Sequence, residues 1–496
     1  MFKPESWQST SEYRTLLDPA LKKMSRYPSA FGTWHYRDVI DKMKNLSLDE
    51  AGEIVQELYS TTGRPAKNQA QILRSVILFT LLFNKTPAGT SLTLWVRDVL
   101  PMSSLFISLI GCSSSSELPP LGSYYDFMNR LWQGNREHYS RSYFYPRQKN
   151  GKKPKKEIGP DEKLVEEESY KTYDIVQRIM DGKPAINSNP ESILQDIFYI
   201  IGVLPSVQLG LINISDLTVS GDGTAVVSHS YSYGHRASGS SSEDQYHYSD
   251  PDAGWGWDSS KKAWYFGRTL YLLACRNNKL GLDLPLTMRF TEARRHDSIS
   301  FLYTIDDMGR HMPILSPTNM CLDSAHDNIP TYQLLEHWDI NALIDINSRC
   351  RTSENAPKDI SFDKKGHPLC RCGIEMKYWG NDKVRDACKY RCPLKCGKID
   401  SCEHEQECSP GKYGRTIYIP NHGDLRFRPR IPRDSEKYTS IYKERTGCER
   451  LNQRFLNDYK LQHLKIRCTD HFSFWAMIIG ICSHLDARCK AAHMFK

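Results

Sequence analysis

Asp216-Leu-Thr-Val-Ser-Gly-Asp222-Gly-Thr-Ala-Val-Val227 is the stretch from which the rest of the chain can be read. Thr, Val and alternating small residues predict a buried strand. An acid inside such a strand is costly unless something compensates its charge. Gly221 and Gly223 leave the backbone bare on either side of Asp222, so a bulky ligand can approach it. A second acid stands in Asn319-Met-Cys-Leu-Asp323-Ser-Ala-His-Asp327-Asn, followed by Ile329-Pro330 and an amphipathic run to Trp338. That order predicts a strand, then Asp323, then a helix opened near Pro330. A further strand is predicted at Ile340–Ile346. Two strands that each carry an acid imply charges converging on cations.

The third element is Tyr442-Lys-Glu-Arg445-Thr-Gly-Cys-Glu449. On a helix, Tyr442, Arg445 and Glu449 share one face, and Glu444 lies well around the cylinder. A carboxylate suits a hard cation and a guanidinium suits phosphate oxygens. By itself the stretch reads equally as a solvated helix face with an Arg–Glu pair. The two upstream acids tip it toward a metal-and-phosphate site.

This ordered set resembles the DDE-class transposases of bacterial insertion sequences, whose catalytic core is an RNase H-like fold shared with retroviral integrases. The resemblance runs from roughly Gly63 to the C-terminus. It implies an α/β protein: an RNase H-like mixed-sheet core with an N-terminal helical domain and a Cys-rich insertion. Asp222, Asp323 and Glu449 would then be catalytic and would hold two Mg²⁺ ions, with Mn²⁺ able to substitute. Tyr442 and Arg445 would contact DNA near the scissile bond. In one large group the signature continues as E-x6-K. Here that position is Leu456, and the nearest downstream lysine, Lys460, becomes the candidate DNA contact. The implied partner is double-stranded DNA, both terminal inverted repeats and target, bound by a homodimer in the bacterial cytoplasm at the nucleoid. The activity implied is metal-dependent cleavage and joining of DNA ends. The alternatives are an RNase H-like structure-specific endonuclease and a non-catalytic DNA-binding protein descended from a transposase.

Composition is compatible with this. The chain has 496 residues and a formal charge of +8, a modest basic excess. The polar opening Met1-Phe-Lys-Pro-Glu predicts no secretion signal, and no apolar run approaches a membrane span of about 18 residues. Fifteen cysteines without such a signal argue for thiols and metal sites rather than disulfides. Six segments are predicted: a polar helical lead-in at 1–62, a helical DNA-binding domain at 63–135, and a charged linker and helix at 136–210. The core follows at 211–349, a Cys-rich insertion at 350–412, and the rest of the core at 413–496.

Within these, Gly63-Arg-Pro65 reads as a turn, Asn68–Phe83 as a helix, and Ser91 and Ser123 as helix caps. The basic run Arg147–Lys156 is either a DNA-backbone contact or a solvated loop. A helix is predicted from Glu191 to Leu204, ended by Pro205. Trp255, Trp257 and Trp264 fall in a predicted hairpin, where cross-strand packing is favoured over stacking on bases. Ala237–Asp244 reads as a flexible loop. Arg428, Arg430 and Arg433 form a candidate phosphate-facing cluster. Phe472–Ala487 is predicted to be an apolar helix over the sheet.

The insertion carries Cys370, Cys372, Cys388, Cys392, Cys396, Cys402, His404 and Cys408. Eight soft ligands make two tetrahedral zinc sites arithmetically possible, although no C-x2-C knuckle is present. Buried free thiols are the plain alternative.

Overall fold

The computed structural model describes residues 7–26, 36–60, 66–82, 91–146, 171–236, 245–347, 360–363, 367–408, 411–420, 425–427, 429–433 and 435–494. Gly63–Pro65, Arg147–Lys156, Ala237–Asp244 and Arg428, singled out in the sequence, lie outside these residues.

The core is a six-stranded sheet. Its strands are β1 (Thr218–Val227), β2 (Gly254–Asp258), β3 (Ala263–Asn277), β4 (Leu282–Glu292), β5 (Asn319–Leu322) and β6 (Asn341–Ile344). Across the sheet the order is β4-β3-β1-β5-β6, with β2 paired to the first residues of β3. The β4/β3 and β3/β1 pairs are antiparallel, and the β1/β5 and β5/β6 pairs are parallel. Hairpins joining three strands, then crossovers to two parallel ones, make the mixed sheet of an RNase H-like α/β core.

Gly267–Cys275 of β3 and Asp283–Phe290 of β4 are buried throughout, because helices cover both faces of the sheet. Ser220 and Gly223 stand three apart on β1 and so face opposite sides. Gly223 meets Asp297, at the start of the helix Asp297–His311, whereas Ser220 meets Cys448 of the helix Thr446–Gln453. The two helices therefore flank β1 from either side.

In chain order the helices that matter are α1 (Gln69–Leu82), α2 (Asp297–His311), α3 (Ile329–His337), α4 (Glu436–Tyr442), α5 (Thr446–Gln453) and α6 (Thr469–Met494). Every residue of α1 is buried, so it reads no DNA. It packs against α6, and one apolar core runs without a break from Trp7 to Ala491. No helix among the described residues is long and apolar enough to cross a membrane.

The insertion has its own antiparallel sheet of β7 (Lys377–Asp382), β8 (Ala387–Arg391) and β9 (Thr416–Pro420). β9, which falls in the 413–496 segment expected to belong to the core, pairs with β8 and closes this small sheet instead. Trp257 and Trp264 are cross-strand partners in the β2/β3 hairpin, with ring centroids 5.3 Å apart. They remain 50% and 67% exposed.

Pro205 does not end its helix. Helical structure continues from Ser192 to Gln208, with a widened turn at Tyr199–Val203 just before Pro205. Proline lacks the N–H that the Ile201 carbonyl would receive in α-helical register. Arg488 of α6 supplies a donor in its place: its Nη2 lies 3.1 Å from the Ile201 oxygen. Burial pushes the Arg488 guanidinium down to about 10, so this contact offsets a real desolvation cost. Arg488→Met is therefore expected to destabilise the protein by about 1–3 kcal/mol. In a Pro205→Ala background, which restores the backbone donor, the same change should cost clearly less. Strictly additive losses in denaturation midpoints would contradict this coupling.

Candidate active site

Each acid is delivered by a different element. Asp222 sits mid-way along β1, opposite Leu272 of β3. Asp323 follows the last residue of β5, where the parallel pairing with β6 ends. Glu449 is carried by α5. This helix docks closely because Cys448 is buried, with Sγ 2.9 Å from the Ser220 carbonyl oxygen, two residues before Asp222. Arg450 then fastens α5 to β4, donating to both carboxylate oxygens of Asp283 at 2.7 and 2.8 Å.

Tyr442, Arg445 and Glu449 lie on one helical run in which a single tighter turn at Lys443–Arg445 joins α4 to α5. The Tyr442 hydroxyl donates to the Leu322 carbonyl at 3.0 Å, immediately before Asp323. Arg445 Nη1 pairs with Glu449 Oε1 at 2.9 Å, and its guanidinium carbon lies 5.9 Å from the Tyr442 ring centre. Glu444 faces elsewhere and accepts from Asn278.

Several residues at the site were not assigned from the sequence. His326 Nδ1 lies 2.6 Å from Asp323 Oδ1, and its Nε2 lies 2.7 Å from the Tyr271 hydroxyl. Nδ1–H donates to the Asp323 carboxylate, and Nε2 is paired with the Tyr271 hydroxyl. Both His326 and Tyr271 are buried, so Asp323 has one oxygen held and the other left for a ligand. A Cβ at Gly221 would stand 2.7 Å from the Tyr271 oxygen, so the glycine makes room for this relay. Asn452, one turn beyond Glu449, donates to Asp222 Oδ2 at 3.0 Å. Asp297 approaches from the other face, where a Cβ at Gly223 would lie 2.5 Å from its Oδ1. The three-residue spacings of His326 from Asp323 and of Asn452 from Glu449 were available as signals. For Tyr271, inside a uniformly buried run, the sequence offered none.

The electrostatics follow from this crowding. Burial pushes the Asp222 carboxyl up to about 7, with Asp297, Asp323 and Glu449 adding to the rise and His326 opposing it. Asp297 is raised as well, again chiefly by burial. Burial also acts upward on Asp323, but the His326 hydrogen bond and charge, the Ala325 N–H and Arg445 outweigh it and hold that carboxyl below its usual value. Hard oxygen donors whose charges together raise the Asp222 carboxyl fit a divalent cation such as Mg²⁺, because a cation relieves that repulsion.

Other residues read from the sequence lie apart. Arg430 pairs with Glu336 at 3.0 Å and with Asp339. Arg433 is turned into the fold rather than toward phosphate, donating to the Ile344 and Arg426 carbonyls and the Tyr332 hydroxyl. Lys460 has a left-handed backbone (φ +56°) at the turn after α5, and Leu456 packs against the core. In the insertion, Cys370, Cys372, Cys392, Cys402 and Cys408 line one cavity, whereas Cys388, Cys396 and His404 are not among its lining. Beside it, ligand atoms of Asp363, His367 and Glu375 lie within 4.8 Å of one another, but Glu375 is already paired with Lys398 at 2.9 Å.

The Asp222 shift makes stability depend on pH. Its folded value, about 7, exceeds the ordinary carboxylate value, so the native state keeps a proton that the unfolded chain releases. The resulting stability is fully present below about pH 4 and is lost as pH rises through about 7. In chelator, Asp222→Asn should therefore be more stable than wild type at pH 8 by a few kcal/mol, on the order of one per pKa unit. At pH 4 the two should nearly coincide. Thermal unfolding at both pH values checks this, and an equal difference at the two would remove the shifted carboxyl from the account.

The arrangement of acids agrees with what comparison finds. The family described as the transposase DDE domain matches residues 222–485, more than half of the chain, beginning at Asp222 itself and enclosing Asp323 and Glu449. No curated protein matches the chain. The chain is a member of the transposase DDE domain family.

Proposed function

We propose that this transposase cleaves the ends of its mobile element and joins them to target DNA by metal-dependent phosphodiester transfer. The observation that carries the reading is that Asp323 and Glu449, delivered by elements separate from β1, both act on the charge of Asp222, with Arg445 paired to Glu449 at 2.9 Å. Asp222, Asp323 and Glu449 would hold two Mg²⁺ ions, with Mn²⁺ able to substitute; bound there, the ions supply Lewis-acid activation of the attacking hydroxyl and stabilisation of the leaving oxygen.

The chain's own groups do the rest. His326 and the Ala325 N–H hold Asp323 ionised and fix its free oxygen. Asn452 orients Asp222. Arg445, paired with Glu449 when DNA is absent, would turn its fork onto the phosphate next to the reacting bond. The Tyr442 ring backs that guanidinium while its hydroxyl anchors the helical run to the end of β5.

In this reading the partner is double-stranded DNA, the terminal inverted repeats and the target, held by a homodimer on nucleoid DNA in the cytoplasm. Residues 63–135 would hold the DNA end. Arg147–Lys156, Arg428, Arg430 and Lys460 would add salt-sensitive backbone contacts. The insertion would carry structural zinc.

Purified protein, Mg²⁺ and a duplex ending in the element's inverted repeat test the reading. Wild type should cleave the end and join it to a target plasmid. Asp222→Ala, Asp323→Ala and Glu449→Ala should each bind the end without cutting it. Cleavage without joining would favour a structure-specific endonuclease, and full cutting by any of the three variants would remove that residue from the site. Arg445→Lys should lose roughly ten- to hundredfold in cleavage rate, since a point charge cannot grip two oxygens. Its melting temperature should stay near wild type. Unchanged cleavage would leave Arg445 as a helix-stabilising partner of Glu449 alone.

A further inference from the structure

The cysteine cavity of the insertion was not resolved into ligands by the sequence, and it lies outside the catalytic site. Its walls bring together Cys370 and Cys372 from one tight turn, Cys392 from the end of β8, and Cys402 and Cys408 from the segment that follows. The turn is closed by Gly373 N–H donating to the Cys370 carbonyl at 2.9 Å and by Cys370 N–H donating to the Ile374 carbonyl at 2.8 Å. All five cysteines are free, and Cys370 and Cys392 are buried.

The sulfurs of Cys372 and Cys402 lie 2.8 Å apart. That is well beyond a disulfide bond of about 2.05 Å. Arg415 also lines the cavity, as do Lys395 and Glu405, which pair with each other at 2.6 Å.

The insertion also needs such a centre. Its apolar core consists of Ile360, Cys370, Met376, Ile417 and Ile419, with a few half-buried neighbours. So small a core does not hold a unit of this size, and small domains of this kind are commonly closed by a metal.

We propose that the cavity is a single tetrahedral zinc site. Cys372 and Cys402 are fixed ligands, two of Cys370, Cys392 and Cys408 complete the shell, and Cys388, Cys396 and His404 stand outside it. The assignment rests on the reading that the insertion carries zinc and adds its number and ligands. The neighbouring Asp363, His367 and Glu375 group is left metal-free, since Lys398 already neutralises Glu375.

The test is elemental analysis of the full-length protein, purified under reducing conditions, for wild type and single Cys→Ser variants. One zinc per chain is expected in wild type, in Cys388→Ser and in Cys396→Ser. Cys372→Ser and Cys402→Ser should lose it. Should those two variants fail to fold, Co²⁺-loaded wild type gives a second readout. Sulfur-to-cobalt charge-transfer absorption is expected, and a chelator should expose four additional thiols to a thiol reagent. Wild type without zinc, or with a Cys372–Cys402 disulfide in its place, overturns the zinc reading altogether. Two zinc ions per chain, zinc retained by Cys372→Ser or Cys402→Ser, or zinc lost from Cys388→Ser or Cys396→Ser overturns the ligand assignment while leaving zinc itself in place.

Discussion

A half-buried carboxylate in the middle of a core strand is the constraint on which the rest of this molecule depends. Burying an ionised group without compensation is among the costliest things a fold can do. Asp222 approaches that condition, since Asp297, Asp323 and Glu449 all repel its charge. The Asn452 amide, His326 and Arg445 act in its favour. A carboxyl raised in this way by burial and neighbouring acids marks a candidate functional site.

The surrounding structure is organised to hold that unfavourable geometry steady. Sheet pairing on both sides fixes the β1 backbone at Ser220, where β3 and β5 flank it, and Gly221–Val227 remain zipped to β3. The His326–Tyr271 relay locks Asp323 against β3. Helix α5 is pinned at Cys448 to β1 and at Arg450 to β4, so Glu449 between them has little freedom of placement. The Tyr442 hydroxyl ties the helical run before α5 to the end of β5. Positions that chemistry requires to within a fraction of an ångström are thus set by rigid elements rather than by loops.

Much of this was legible in the sequence, and the limits have physical causes. The strands around Asp222 and Asp323 stood out because β-branched composition and buried runs are local properties. The Y-x2-R-x3-E spacing located the third acid. The tightened turn at Lys443–Arg445 was not legible, since every residue there is a good helix former. The same holds at Pro205, where local preference predicts a stop and a buried arginine nearly three hundred residues away in sequence allows the helix to continue. Arg433 resembled a phosphate ligand because composition cannot tell a guanidinium facing solvent from one capping buried carbonyls. Asp297 was not singled out in the sequence, because its approach to Gly223 is a tertiary contact.

The central claim is that these carboxylates form a cation site whose protonation is coupled to binding. Titrating Mg²⁺ calorimetrically near pH 6.5, in buffers of different ionisation enthalpy, measures the protons released on binding. Wild type should release a substantial fraction of one proton per site, and Asp222→Asn should bind Mg²⁺ weakly with no release. Binding of equal strength and equal proton release by the two proteins would contradict the account.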